Sequence, residues 1–156
     1  MTDLRWDPLV EDPAWAARVE EVCERWEGTP YREGNQRCGA GVDCVRFVAA
    51  VADELRGTST PLPVLPADRA FHDPQGARAA MRTMIRALGA RKVSNGLLRP
   101  GDGLVTAPPG GGPGHAMIAG GRRYLYHAVR GSSVVRTGLG LDGYRLVGIF
   151  RLDWSN

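Results

Sequence analysis

Three cysteines (Cys23, Cys38, Cys44) and three histidines (His72, His115, His127) are the side chains in this 156-residue sequence best suited to nucleophilic or proton-transfer chemistry near neutral pH. Cys44 stands where a loop rich in Gly and polar residues, Gly28 through Gly41, gives way to Cys44, Val48, Val51 and Leu55 at helical spacing. A thiol at a helix N-terminus feels the partial positive charge of backbone N–H groups that have no partner within the helix, which favours the thiolate. The same N–H groups could hold the oxyanion formed when a thiolate attacks a carbonyl, at about 3 kcal/mol per donor. A buried structural cysteine is the competing reading on position alone.

His115 opens an alternating apolar run just after a Gly/Pro patch, Pro108–Gly114, and His127 lies on the next run. A two-residue turn near Gly120-Gly121 would pair the two runs as a hairpin and bring both imidazoles close across it. One ring could then take the Cys44 proton while the other orients it. Asp43 could cap the helix that begins at Cys44 or accept a proton from a substrate amine, and Tyr31 could pack on the core or point its hydroxyl at the site. His72, in Phe71-His-Asp-Pro74, reads as a packing or capping residue. Cys23, Cys38, Cys44, His115 and His127 show no pair at metal-ligand spacing, so no metal and no cofactor is expected.

The elements that must position these residues follow from periodicity. Asp12-Pro13 starts a first helix over about 13–26, with Trp15, Val19, Val22, Cys23 and Trp26 on one face. The second runs about 44–56. Prolines 61, 63 and 66 make 57–68 an extended connection, and Asp73-Pro74 begins a third helix with Met81, Met84, Ile85 and Leu88 apolar and Gly89 as its stop. Five short strands follow at Gly103–Thr106, His115–Ala119, Tyr124–Val129, Ser133–Thr137 and Tyr144–Leu152. Helices first and an antiparallel sheet afterwards describe an α+β fold in a single domain, residues 1–156.

A hydrophobic fraction of 43% and a charged fraction of 24% suit one globular core. The formal net charge of +3 is spread over scattered residues with no aromatic-and-basic stripe, which argues against nucleic acid as a partner. No apolar run approaches a membrane span, and MTDLRWDPLVEDP lacks the basic and apolar regions of a secretory signal, so synthesis in the cytoplasm without an export signal is expected.

In order and spacing, Gly28-Thr-Pro-Tyr-Arg-Glu-Gly34, Gly41-Val-Asp-Cys-Val-Arg-Phe-Val48, Leu98-Arg-Pro-Gly-Asp102, Gly114-His-Ala-Met-Ile-Ala-Gly-Gly121 and Tyr124-Leu-Tyr-His-Ala128 resemble the NlpC/p60 cysteine peptidases. These are papain-like enzymes that trim peptide stems of bacterial cell walls, and the resemblance spans roughly residues 13–152. It implies Cys44 as nucleophile, His115 as base, His127 as the orienting third residue, and Tyr31 and Asp43 beside the substrate amine. It further implies a peptidoglycan stem-peptide endopeptidase without a cofactor. The nearest look-alikes are short members encoded with phage tails and gene transfer agents, which makes phage-like tail proteins the expected partners. The family's usual Asp-Cys-Ser-Gly is Asp43-Cys44-Val45-Arg46 here, so a pocket hydroxyl is lost and Arg46 becomes a candidate for binding an acidic substrate group. Two alternatives remain open: another thiol-dependent amidase or acyl transferase on the same scaffold, and a non-catalytic component of a tail tip.

Overall fold

The computed structural model describes residues 4–9, 12–60, 74–107 and 114–154. His72, most of the proline-rich connection and all but the last residue of the Pro108–Gly114 patch lie outside the described residues.

Helix α1 spans Pro13–Trp26, with Pro13 in its first turn and the Asp12 carboxylate accepting from Trp15 N–H at 3.0 Å. Helix α2, Cys44–Arg56, ends at Gly57, whose φ of 68° is the left-handed conformation that glycine adopts without steric cost. Helix α3 spans Pro74–Leu88. Val19, Val22, Phe47, Val48, Val51 and Met84 are fully buried in one cluster, and each such side chain contributes about 1.5–3 kcal/mol through removal of apolar area from water.

The strands, in chain order, are β1 Arg5–Trp6, β2 Gln36–Arg37, β3 Gly41–Val42, β4 Ala90–Val93, β5 Leu97–Leu98, β6 Gly103–Ala107, β7 His115–Ala119, β8 Leu125–Ala128, β9 Val134–Thr137 and β10 Arg145–Leu152. Six of them form one antiparallel sheet in the order β4-β10-β6-β7-β8-β9. The four two-residue strands and β4 were not expected from the sequence. Two-residue runs are too short for a period-two pattern to stand out, the Arg91-Lys92 pair interrupts any alternation in β4, and β2 and β3 lie inside the Gly-rich stretch that reads as a loop.

Alternation divides the sheet residues between two cores. Val105, Ala116, Ile118, Tyr126, Ala128 and Phe150 join the cluster built by the helices. Leu104, Met117, Ala119, Leu125 and Ile149 form a second cluster on the opposite face, against which Leu4, Trp6, Leu139 and Tyr144 pack. That second cover explains why β6 and β7 are buried along nearly their whole length rather than on alternate residues.

Candidate active site

Helix α2 starts where it does because Asp43 caps it. One carboxylate oxygen accepts from Arg46 N–H at 2.9 Å, and the other accepts from Gly34 N–H at 2.8 Å and from the Arg46 guanidinium at 3.0 Å. Asp43 is only 1% exposed, so one buried acid fixes the first turn of α2, the preceding loop and Arg46 together. Cys44 is the first helical residue, itself 1% exposed, in the helix-side core.

Backbone bonds fasten this helix end to one end of the sheet. Val42 N–H donates to Pro30 O at 3.0 Å, Arg32 N–H to Val42 O at 3.0 Å, and Tyr31 N–H to Ser132 O at 3.0 Å. Ser132 belongs to the turn that follows β8. Because Ile118 pairs with Tyr126 and Ala119 with Leu125, the far end of β8 lies beside the start of β7, where His115 stands. The chain just before Cys44 is therefore tied to the end of the sheet that carries His115, and α2 packs against both β7 and β8. Tyr31 is half-buried beside Val42, with the Arg130 guanidinium 5.4 Å from its ring centre.

His115 Nε2 and His127 Nδ1 lie 2.7 Å apart, a hydrogen bond within a buried pair. The turn between β7 and β8 takes Gly120–Tyr124, longer than the two-residue turn the sequence suggested. Glu20, on α1, explains the longer turn: its carboxylate accepts from Gly121 N–H at 3.0 Å and Arg122 N–H at 3.1 Å, and a Cβ on Gly121 would sit 1.8 Å from Ala16 O. With this register the histidines are diagonal neighbours on one face rather than directly opposite, a spacing long side chains bridge. Burial, and then the nearness of His127, lowers the His115 pKa from 6.5 to about 3, so this imidazole is neutral at physiological pH. A neutral ring that donates from Nε2 has Nδ1 left to accept a proton.

By alternation alone Tyr144 is the first residue of the last strand. It instead ends the 3-10 turn Leu141–Gly143 and lies against both imidazoles, 5.3 Å from His115 at 26° and 6.0 Å from His127 at 86°. Nothing in the strand periodicity marks it, because the contact is made across the sheet.

The other thiols have different surroundings. Cys23 is buried, and desolvation followed by the charges of Glu20, Glu24 and Glu54 raises its pKa, so it stays a thiol. Cys38 is exposed, with Sγ 3.2 Å from Arg25 O, and none of the three cysteines is in a disulfide.

No family model and no curated protein matches this sequence. Solved structures do. The NlpC/p60 domain of the peptidoglycan hydrolase SagA superposes with a TM-score of 0.57 at 22% identity, over 88% of this chain and 98% of that one. The chain has the NlpC/p60 fold. A second structure with this fold, an NlpC/p60 family protein from Bacillus cereus ATCC 10987, gives a TM-score of 0.57 at 20% identity over 87% of this chain. It is a longer protein, of which the match covers 39%. The NlpC/p60 fold agrees with the α+β class expected from helices followed by an antiparallel sheet; in this chain helix α2 carries Cys44, β7 carries His115 and β8 carries His127.

Proposed function

We propose that this chain is a cysteine-dependent amide hydrolase acting on peptide stems of peptidoglycan. The bond between His115 Nε2 and His127 Nδ1, at the sheet end to which the Cys44 helix terminus is tied, is the observation that carries this reading. His115 takes the Cys44 proton on Nδ1. For that the ring must carry its hydrogen on Nε2 and donate it to His127 Nδ1, which fixes the tautomer of both rings. The thiolate attacks the amide carbon, and the imidazolium returns the proton to the leaving amine; water then hydrolyses the thioester. The amides of Arg46 and Phe47 are already bonded to Asp43, so neither serves an oxyanion.

Substrate choice turns on Asp43 and Arg46. With Arg46 paired to it, Asp43 has little charge left for a free substrate amine, so the enzyme accepts peptides with a blocked or absent N-terminal amine and prefers an acidic group nearby. The same pair favours, as a second reading, a different thiol-dependent amidase or acyl transfer on this scaffold. The phage-like tail setting is proposed from the sequence resemblance alone.

SagA, a protein with this fold, is described as a peptidoglycan hydrolase. Digestion of purified sacculi, with mass analysis of the released fragments, tests the proposal. The wild-type chain should release stem-peptide fragments and Cys44→Ala none. Equal release by both would remove Cys44 as the nucleophile, and no release by either, from sacculi of several stem types, would remove peptidoglycan as the substrate.

A further inference from the structure

The segment joining β9 to β10 takes a long path. Thr137, at the end of β9, pairs with Leu125 at the turn end of the hairpin, whereas Arg145, at the start of β10, pairs with Ala107, one residue beyond the Thr106 that faces His115. Residues 138–144 therefore cross the face of the sheet away from the helices, from one end to the other. Leu139 and buried Leu141 pack on the second core along the way, and Tyr144 N–H donates to Leu141 O at 2.8 Å to close the last turn. The crossing ends on the histidines, with Tyr144 stacked on one ring and presented to the other at nearly a right angle.

We infer that Tyr144 is a positioning residue for the imidazole pair, a clamp delivered by the β9–β10 crossing that fixes both ring planes and keeps water off the bond between them. An imidazole in a strand can rotate about two bonds, and a single hydrogen bond leaves one rotation loosely held. A ring packed flat on His115 and edge-on to His127 restrains both, as offset-stacked and T-shaped contacts do, at about 0.5–1.5 kcal/mol each. Water kept from the pair would otherwise compete for Nε2 and solvate the imidazolium. Among the described residues, the groups able to titrate or carry charge at this end of the sheet include His127 on β8, Cys44 and the Asp43–Arg46 pair on α2, Tyr31 with Arg130, and Arg145 at the start of β10. The neighbouring β6 contributes only Thr106, which is uncharged.

The test titrates the imidazoles by NMR in chains carrying Cys44→Ala, so that thiolate charge plays no part. Tyr144→Leu should raise the pKa of His115 by about one unit or more, whereas Tyr144→Phe, which keeps the ring, should leave it within a few tenths. With Cys44 restored, Tyr144→Leu should lower kcat about tenfold with little change in KM, and Tyr144→Phe should be close to wild type. In the unaltered chain the imidazole N–H between the two rings should give a sharp, slowly exchanging proton signal at neutral pH. An unchanged His115 pKa in Tyr144→Leu would overturn the clamp, as would an N–H signal broadened by exchange in the unaltered chain, which decides the matter even if the leucine variant does not fold. The effect on kcat rests on the amide-hydrolase reading above. The titration and the exchange measurement do not, so a chain without hydrolase activity but with the expected imidazole behaviour would sink that reading and leave the clamp standing.

Discussion

At the residue scale, burial and chemistry pull in opposite directions on the thiols. Cys38 is exposed and open to alkylating reagents, whereas Cys44 is 1% exposed but stands at a helix N-terminus. In a Cys38→Ser chain, iodoacetamide at neutral pH should label Cys44 and spare Cys23, because buried Cys23 among three glutamates holds its proton. Peptide mapping checks this, and a Cys44 as slow as Cys23 would remove the thiolate assignment. His115 makes a second prediction. Its pKa lies at about 3 in the folded chain, below the ordinary 6.5, so the unfolded chain binds a proton that the folded chain refuses. The stability this group contributes is thus complete above pH 6.5 and is lost as pH falls from there towards 3. Between pH 7 and 5 the loss should be about 2 kcal/mol, read as a falling urea midpoint in Cys44→Ala and missing from Cys44→Ala/His115→Asn. Parallel midpoints in the two chains would mean that His115 is not held neutral.

At the scale of elements, α2 and the loop before it are joined by a single carboxylate. Replacing Asp43 by Ala removes a helix cap, releases Gly34 N–H and leaves the Arg46 guanidinium without its counter-charge, so the expected loss of stability is about 2 kcal/mol. Asp43→Asn keeps an acceptor for Arg46 N–H and should lose less. Chemical unfolding of the two variants checks the order, and an alanine variant as stable as the asparagine one would mean that the cap contributes nothing. Glu20 plays a corresponding part between α1 and the β7–β8 turn. Besides the two turn amides, it accepts the Tyr126 hydroxyl, so the helix sets the turn that in turn sets the histidine register.

At the scale of the molecule, one buried ion pair joins segments distant in sequence. Asp102 is fully buried, and its two oxygens accept from Arg151 Nε at 2.9 Å and from a terminal guanidinium nitrogen at 2.8 Å. The same guanidinium reaches Leu97 O at 2.9 Å, and Arg99 N–H donates to the carboxylate at 2.8 Å. The turn before β6, the short β5 and the final strand β10 are thereby fixed to one another. Arg151→Met strands a buried carboxylate and should cost about 3–5 kcal/mol, whereas combining it with Asp102→Asn should recover part of that loss, since no uncompensated charge remains. Thermal unfolding of the single and double variants measures the coupling, and simple additivity would show that the pair acts as two independent groups.

Local interactions were legible in the sequence because they are made within a few residues. The bounds of α1 and α2 followed from Asp12-Pro13 and from the apolar spacing after Asp43, and strands β6 to β10 followed from their alternation. Cys44, His115 and His127 stood out by residue type and by the motifs around them. What tertiary structure decided is what forms between segments far apart. The turn of β7 and β8 is lengthened by Glu20, which is 101 residues away from Gly121, so the histidines meet diagonally through Nε2 and Nδ1. Arg46, at a position where an arginine usually faces solvent, is turned back onto Asp43 because that acid is buried there. Tyr144 reaches the imidazoles only because residues 138–144 cross a sheet whose strand order runs β4-β10-β6-β7-β8-β9. Periodicity reports which face of its own element a side chain takes; which distant side chain it meets there depends on strand order and register, and those are set by contacts that no local pattern encodes.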